Sequence, residues 1–210
     1  MPKDPYGRIA PWYDRFLEPL NAPVRAISMK MLQPSDGMMI LDVGCGTGTG
    51  LERYLDAGCE VFGIDASQAM LDQAHNRLGD RADLTLGNAA DMPYDDNTFD
   101  VVVASMFLHE LPVETRDRVV SEIARVLAPD GKAVFIDFAA SDLTPKGRAI
   151  RAMSMVVERI AGRDHHRNCK TFLSSGGVPT LSSPLDVDRS KILGGGNMGI
   201  YVLAAASGSD

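Results

Sequence analysis

The sequence predicts an α/β protein built around a mostly parallel β-sheet. Short apolar segments that are typical of buried strands alternate along the chain with longer segments whose apolar residues recur every three to four positions. A glycine cluster at residues 44–50 follows the first apolar segment directly and opens a helical one. Strand, glycine turn and helix in this order are typical of the crossover units from which parallel sheets are made.

Five strands and three helices are predicted in the first two thirds of the chain. The strands are short runs rich in Val, Ile, Leu or Phe, at residues 38–43, 60–64, 83–86, 99–105 and 132–138. The helices lie between them, at residues 49–57, 67–78 and 113–127. Ser67 is of the residue type that caps a helix, and the apolar residues after it share one helical face. Pro129-Asp-Gly131 predicts a turn before the fifth strand.

The two ends of the chain carry weaker patterns. Residues 146–162 predict a helix, residues 170–175 a short helix, and residues 185–188 and 200–205 two last strands joined around a turn at Gly194. Residues 1–35 predict a broken helical segment. We therefore divide the chain into a helical lid, residues 1–35, and a core domain, residues 36–210.

Composition excludes several classes of protein. The 210 residues carry 21 Lys and Arg against 28 Asp and Glu, a net charge of −7. This charge argues against a broad surface for nucleic acid or anionic membranes, although it leaves room for a small basic patch. The three cysteines form no CxxC pair, so we expect no zinc site and no disulfide framework. No apolar stretch approaches the roughly 20 residues that span a bilayer, and we expect a cytoplasmic protein.

The glycine cluster indicates a ligand without phosphate. Dinucleotide loops follow the pattern G-x-G-x-x-G, but Gly44, Gly46, Gly48 and Gly50 alternate and fit neither frame of that pattern. No G-x-x-x-x-G-K-[ST] phosphate loop is present either. Asp42 lies just before the loop, where a carboxylate repels pyrophosphate and suits an ammonium group.

Two further carboxylates follow the next two strands. Asp65 ends the second strand, where it can accept hydrogen bonds from both hydroxyls of a ribose. Asp91 follows the third strand and can accept one from an adenine amino group, with Met92 or Met70 covering the ring. Ammonium, ribose and adenine partners without a phosphate site point to S-adenosylmethionine.

Five segments of the chain resemble those of class I S-adenosylmethionine-dependent methyltransferases. They are LDVGCGTGTG (41–50), GIDAS (63–67), NAADMPYDDNTFDVV (88–102), FLHEL (107–111) and LAPDGKAVFIDF (127–138). The opening YGRIAPWYD (6–14) is similar to the small-molecule branch that contains the ubiquinone, menaquinone and phospholipid methyltransferases. The resemblance implies a Rossmann-like sheet of seven strands, with helices on both faces and the last strand antiparallel.

The resemblance also implies a set of ligand contacts. The cofactor-binding positions that we predict, from the resemblance and the arguments above, are Asp42, Gly44, Cys45, Gly46, Asp65, Ala66, Met70, Asp91, Met92, Ser105 and Met106. Tyr13 matches a position that closes over the cofactor, and we predict it as a catalytic residue beside the sulfonium. The implied activity is methyl transfer by in-line displacement to a small organic acceptor. No metal is expected.

Other candidates keep two interpretations. His109 lies just past the fourth strand, and we predict it as a general base, the alternative being a structural histidine hydrogen-bonded to the backbone. The cluster His165-His-Arg-Asn168 either binds a polar substrate group or forms a solvated loop. The rival functions are a catalytically silent cofactor-binding subunit, a protein or RNA methyltransferase, and a nicotinamide dehydrogenase. A homodimer is left open.

Overall fold

The computed structural model describes residues 10–181 and 184–205, except for the side chains of residues 10–17, 19 and 20. The helices of this part are α1 (Ala10–Leu32), α2 (Thr49–Leu55), α3 (Gln68–Leu78), α4 (Val113–Val126), α5 (Pro145–Ala161) and α6 (Arg163–Ser174). The strands are β1 (Met39–Val43), β2 (Glu60–Asp65), β3 (Ala82–Leu86), β4 (Phe99–Ser105), β5 (Leu127–Phe138), β6 (Leu185–Leu193) and β7 (Met198–Ala205). Single 3₁₀ turns lie at Gly79–Arg81, Leu108–Glu110 and Val178–Thr180.

The seven strands form one sheet in the order β3-β2-β1-β4-β5-β7-β6. Strands β1 to β5 run parallel to one another, and β7 runs antiparallel to both of its neighbours, as expected. The chain leaves β1 first toward β2 and later toward β4, so the strand order reverses at this point. Ligands bind at the carboxyl ends of the strands beside such a reversal.

Helices cover both faces of the sheet. Apolar residues of α4 and α6 pack with Leu41 and Val43 on one face. Residues of α2 and α3 pack with Ile40 on the other, and the second half of α1 joins them through Val24 and Ile27. The division into a lid and a core domain stays a prediction. None of the described helices is long and apolar enough to cross a membrane.

Most element boundaries agree with the sequence patterns. Ser67 caps α3 by accepting a hydrogen bond from the backbone N–H of Met70, as predicted. The turn predicted at residues 129–131 is instead part of β5, where the pairing with β4 shifts register between Phe99 and Val101. The Pro-Asp-Gly residues therefore form an irregularity within strand β5, similar to a β-bulge, and do not end the strand.

The short helix predicted at residues 170–175 is wrong in length. Helix α6 begins at Arg163, so His165–Asn168 are helical and do not form the solvated loop considered above. Cys169 and Phe172 are fully buried and hold α6 against the core. This tertiary packing outweighs the polar character of the first turns of the helix, from which no helical pattern could be recognised.

Arg151 anchors α5 to two loops. Its guanidinium donates a hydrogen bond to the carbonyl of Ala139 at 2.7 Å and one to the carbonyl of Asn197 at 3.2 Å. It also contacts the side-chain oxygen of Asn197. The end of β5 and the turn between β6 and β7 are thereby fixed to one helix.

We predict that Arg151→Met lowers the free energy of unfolding by about 1.5–3 kcal/mol, since hydrogen bonds to a charged group are lost. Arg148→Met removes an exposed arginine from the same helix and should change it by less than about 0.5 kcal/mol. Urea unfolding followed by circular dichroism measures both. Equal effects of the two substitutions would contradict the anchoring role.

Candidate functional site

A cavity of about 320 Å³ lies at the carboxyl ends of β1, β2 and β4. One side is formed by the glycine loop after β1, the segment after β2 and the segment from Gly87 to Ala89. The other lining residues belong to the segment after β4, to α4 and α6, and to α1, which contributes Asn21 and Arg25. The cavity therefore lies where the strand order reverses, as the fold requires of a ligand site.

The carboxylate of Asp65 holds the glycine loop in place. One of its oxygens accepts a hydrogen bond from the backbone N–H of Gly46 at 2.9 Å, and the other accepts one from the N–H of Ser67 at 2.8 Å. A single side chain thus joins the loop after β1 to the turn that enters α3. Asp65 also lines the cavity, so its carboxylate lies within the space that a ligand would occupy.

Gly46 shows that the loop leaves space for a ligand. Its φ of +55° is one that residues other than glycine rarely adopt. A Cβ built at this position would meet no atom within 4 Å. The space beside Gly46 therefore belongs to the cavity, and a side chain there would occupy it.

Most of the predicted cofactor-binding residues are brought together. Eight of them line the cavity: Gly44, Cys45, Gly46, Asp65, Ala66, Met70, Ser105 and Met106. Met106 adopts a φ of +55°, a strained conformation for a residue with a side chain, and its N–H donates to the carbonyl of Ile136 at 2.7 Å. Burial raises the pKa of the Cys45 thiol well above its usual value, so the thiol stays protonated.

Asp42 does not line the cavity. It is 4% exposed and lies on the α1 side of β1, beside Arg25 and Tyr54. Side chains alternate along a strand, so Asp42 shares a face with Ile40. Within the described residues, Oδ1 of Asp42 has no hydrogen-bond partner. Burial raises its pKa to about 7, a rise that Arg25 opposes and Asp65 increases.

Two of the three predicted adenine contacts, Asp91 and Met92, also lie outside the cavity lining, whereas Met70 is part of it. Asp91 is exposed. Met92 is buried in the core, where its N–H donates to the carboxylate of Glu122 at 2.8 Å and its carbonyl accepts from Arg125 at 3.0 Å. The neighbouring residues Asn88 and Ala89 line the cavity instead. The contacts of Asp42, Asp91 and Met92 with a cofactor stay predictions.

His109 is buried between two carboxylates and is not part of the cavity lining. Its Nδ1 lies 2.6 Å from Oδ1 of Asp137, and its Nε2 lies 3.5 Å from Oε1 of Glu158. Burial lowers the pKa of His109, but the charge and hydrogen bond of Asp137 outweigh it and leave the pKa well above its usual value. A protonated imidazole cannot accept a proton. The geometry favours the structural alternative, with carboxylates rather than the backbone as partners.

Three further residues line the cavity, of which only His165 belongs to a cluster that the sequence analysis considered for substrate binding. Glu110, next to His109, lines the cavity, and so does His165 of α6. Nδ1 of His165 lies 3.8 Å from Oε1 of Glu110, and Asn168 donates a hydrogen bond to the carbonyl of Glu110 at 2.7 Å. The third residue is Arg25, which lines the cavity and donates to Oγ1 of Thr49 at 2.6 Å. Helix α6 had to be recognised before His165 and Glu110 could be paired.

Tyr13 falls within α1, but its side chain lies outside the described residues. Its predicted contact with the sulfonium therefore stays a prediction. The described residues contain no group of three or more His, Cys, Asp or Glu side chains that could hold a metal ion.

Comparison with known proteins identifies a domain within the chain. Residues 41–135 match the family model described as a methyltransferase domain. The demethylmenaquinone methyltransferase of Renibacterium salmoninarum is 38% identical over 109 residues, which cover 52% of this chain and 45% of that protein. That of Lactiplantibacillus plantarum is 33% identical over 149 residues, which cover 65% of this chain and 62% of that protein. The chain thus matches about half the length of these curated relatives.

Solved structures share the fold. A chain of the complex between the Haloferax volcanii Trm112 methyltransferase activator and the putative methyltransferase has a TM-score of 0.71 at 16% identity, covering 98% of this chain and 99% of that one. A TehB-like SAM-dependent methyltransferase from Corynebacterium glutamicum has a TM-score of 0.62 at 19% identity, covering 93% and 97%. At these identities the likeness concerns the fold alone.

We predict that Asp65→Asn weakens the binding of S-adenosylhomocysteine about 10- to 100-fold, because an amide NH₂ would face a backbone N–H and would bind ribose hydroxyls less well. Isothermal titration calorimetry measures the affinity. Asp83→Asn, which alters an exposed acid on the neighbouring strand β3, is the matched control and should leave it unchanged. If Asp65→Asn binds S-adenosylhomocysteine as tightly as the parent, Asp65 does not contribute to cofactor binding.

We further predict a pH-dependent effect of Asp42→Asn on stability. Because the pKa of Asp42 rises on folding from 3.8 to about 7, its contribution to stability is fully present below about pH 4 and is lost as the pH rises through about 7. The difference in unfolding free energy between Asp42→Asn and the parent should therefore move in favour of the variant from pH 5 to pH 8. Urea unfolding without ligand measures it, with Asp80→Asn as an exposed control. A pH-independent difference would contradict the raised pKa.

Proposed function

Because residues 41–135 form a class I, S-adenosylmethionine-dependent methyltransferase domain, we propose that the whole protein transfers the methyl group to a small organic acceptor of the quinone type. The observation that carries the proposal is that one cavity joins the glycine loop to a second wall bearing Phe107, Glu110 and His165. The acceptor class follows the names of the relatives, several of which are demethylmenaquinone methyltransferases.

The residues of the cavity fit S-adenosylmethionine. Its volume of about 320 Å³ falls within the roughly 300–1,000 Å³ of small-molecule sites. Among the described lining residues, Asp65 and Glu110 are acidic, and Arg25 is the one side chain with a permanent positive charge. Arg25 is also engaged by Glu18. This balance suits a cationic ligand and not a pyrophosphate. Asp65 would hold the ribose, and the loop at Gly46 would face the methionine end.

When bound, S-adenosylmethionine supplies a methyl group on a sulfonium that leaves as a neutral thioether. The chain then has two tasks, to orient the acceptor in line with that methyl group and to exclude water. Phe107, Leu111 and Val119 give the second wall an apolar surface on which an aromatic ring can pack. Positioning of this kind contributes about 7–11 kcal/mol in well-oriented reactions.

Glu110 and His165 provide the acid–base function. Methylation of a ring carbon or a hydroxyl releases one proton from the acceptor. The imidazole of His165 takes this proton, and the carboxylate of Glu110, 3.8 Å away, stabilises the imidazolium that forms. Asn168 fixes the backbone of Glu110 from the next turn of α6. In this assignment the predicted base moves from His109 to His165, and Tyr13 remains a proposed contact of the sulfonium.

The test uses methyl-labelled S-adenosylmethionine and three classes of acceptor. The purified chain is incubated with a reduced 1,4-naphthoquinone that lacks the ring methyl group, with unmodified tRNA, and with a peptide mixture. Label transferred to the naphthoquinol supports the proposal. Label transferred to RNA or peptide instead would contradict it, and so would tight cofactor binding without transfer to any acceptor, the behaviour of a silent subunit.

We predict that His165→Gln lowers kcat for the naphthoquinol about 10²- to 10⁴-fold, the range of general acid–base catalysis, with little change in cofactor affinity. Glu110→Gln should lower it in the same direction. The matched control is His166→Gln, which alters the adjacent histidine of α6, one that does not line the cavity. Equal kcat values in His165→Gln and the parent would exclude His165 as the base.

A further inference from the structure

Helix α5 exposes a continuous apolar stripe. The exposed fractions are 53% for Met153, 57% for Val156, 41% for Val157 and 81% for Ile160. These positions are spaced by three or four residues, so they lie on one face of the helix over two turns. Among the described residues, half of the large apolar side chains that are exposed belong to this stripe. Exposed apolar side chains are ordinary when scattered, but a contiguous patch marks an interaction surface.

The exposed charges on α5 itself are all positive. Lys146, Arg148 and Arg159 of α5 and Arg163 just after it are exposed. Lys146 precedes Met153 by seven residues and Arg159 follows Val156 by three, so both lie near the stripe. In the part of the chain that the structure describes, no carboxylate forms an ion pair with any of these four. The basic cluster contrasts with the net charge of −7 of the whole chain.

The acids near the helix are turned away or already paired. The sequence of α5 contains one acid, Glu158, which is buried and faces the imidazole of His109 at 3.5 Å. Asp164, at the start of α6, pairs with Arg167 at 2.9 Å. Asp142, in the loop before α5, is exposed and faces solvent at the other end. The outer face of α5 is therefore apolar and cationic, without an acid of its own.

The inner face of α5 is firmly anchored. Arg151 binds the carbonyls of Ala139 and Asn197, and Glu158 contacts His109. The helix is thus formed in the folded protein and presents its outer face as a rigid surface, so no ordering of the chain is needed when a partner binds.

From this geometry we propose that the outer face of α5 docks on the surface of an anionic lipid bilayer. A helix with an apolar stripe bordered by Lys and Arg lies in the plane of the membrane interface, its apolar side chains among the acyl chains and its cations beside lipid phosphates. The charge of the patch selects this occupant, because a second copy of the same face would bring like charges together. Lys146, Arg148, Arg159 and Arg163 would contact headgroups, and Val156 and Ile160 would insert.

Docking would also place the cavity near the lipid. A single residue, Gly162, separates α5 from α6, and α6 carries His165 into the cavity wall. A quinone with an apolar tail dissolves in the bilayer, so an enzyme seated there could take its acceptor from the membrane. The uptake of a quinone from the membrane rests on the proposed function, whereas the docking is argued only from the apolar and basic residues on the surface of α5.

Sedimentation with sucrose-loaded vesicles tests the docking on the full chain. Vesicles of phosphatidylcholine and phosphatidylglycerol at a ratio of 7:3 are compared with vesicles of phosphatidylcholine, in 0.1 M NaCl. We expect binding to the anionic vesicles at least tenfold stronger than to the neutral ones, and its loss in 0.5 M NaCl. Sedimentation equal with both compositions, or with neither, would overturn the proposal.

Two test variants, each with a matched control, show whether the apolar stripe and the basic residues of α5 are specifically needed for vesicle binding. Val156→Ser with Ile160→Ser should weaken vesicle binding at least tenfold, whereas Ile192→Ser, at an apolar residue exposed on β6, should not. The double variant Arg148→Gln and Arg159→Gln should also weaken vesicle binding at least tenfold. Its control, Lys30→Gln with Arg118→Gln, removes two exposed positive charges elsewhere and should leave vesicle binding unchanged. Equal losses in test and control variants would overturn the proposal. Light scattering gives one further outcome. If the parent is a dimer that binds no vesicles and the stripe variant is a monomer, the face belongs to a second copy of the chain and the docking proposal is wrong.

Failure of the docking and failure of the proposed function give different results. The stripe variant should methylate a water-soluble naphthoquinol without a tail at the rate of the parent, because α5 does not line the cavity. If the parent methylates this acceptor but binds no vesicles, the docking is wrong and the function holds. If the parent binds anionic vesicles but methylates no acceptor, the docking holds and the proposed function is wrong.

Discussion

The site depends first on one carboxylate that bridges two backbone amides. Asp65, at the end of β2, accepts hydrogen bonds from Gly46 in the loop after β1 and from Ser67 before α3. Both amides lie at the N-terminal approaches of helices, where backbone N–H groups lack partners within the helix. The carboxylate satisfies them and fixes the spacing between two loops that form one side of the cavity. The open space beside Gly46 exists because the loop is held in this way, and the rest of the site is arranged around that space.

A second buried polar cluster connects the part of the cavity wall that carries Glu110 to helix α5. His109 lies between Asp137 of β5 and Glu158 of α5, and the loss of either acidic partner would leave the buried imidazole with a polar nitrogen that is not paired, which is costly. The cluster fixes the turn that carries Glu110 into the cavity wall, where His165 meets it. It also turns the one acid of α5 inward, which leaves the exposed face of that helix apolar and basic. Catalysis and membrane docking, as proposed, therefore share a structural origin in the same buried histidine.

Much of the fold could be predicted because its signals are local. Strand β4 and the start of α4 lie where the apolar run and the helical periodicity place them, and Ser67 caps α3 through a bond within its own turn. The two wrong secondary-structure predictions have their cause in tertiary contacts. The segment Pro129–Gly131 resembles a turn, but the neighbouring strand keeps it in the sheet. The first turns of α6 are polar, and the helix forms there because Cys169 and Phe172 are buried against the core.

The sequence by itself determined the class of ligand and half of its site. The alternating glycines and Asp65 stand next to the ends of consecutive strands, and parallel strands bring their carboxyl ends to one edge whatever the rest of the chain does. Only the tertiary structure decided which polar side chains reach the cavity. Asp42 faces α1 because side chains alternate along β1, His109 is enclosed by Asp137 and Glu158, and Glu110 meets a histidine that lies 55 residues later in the sequence. Such choices depend on which face of an element is packed against which neighbour, and no local pattern records that packing.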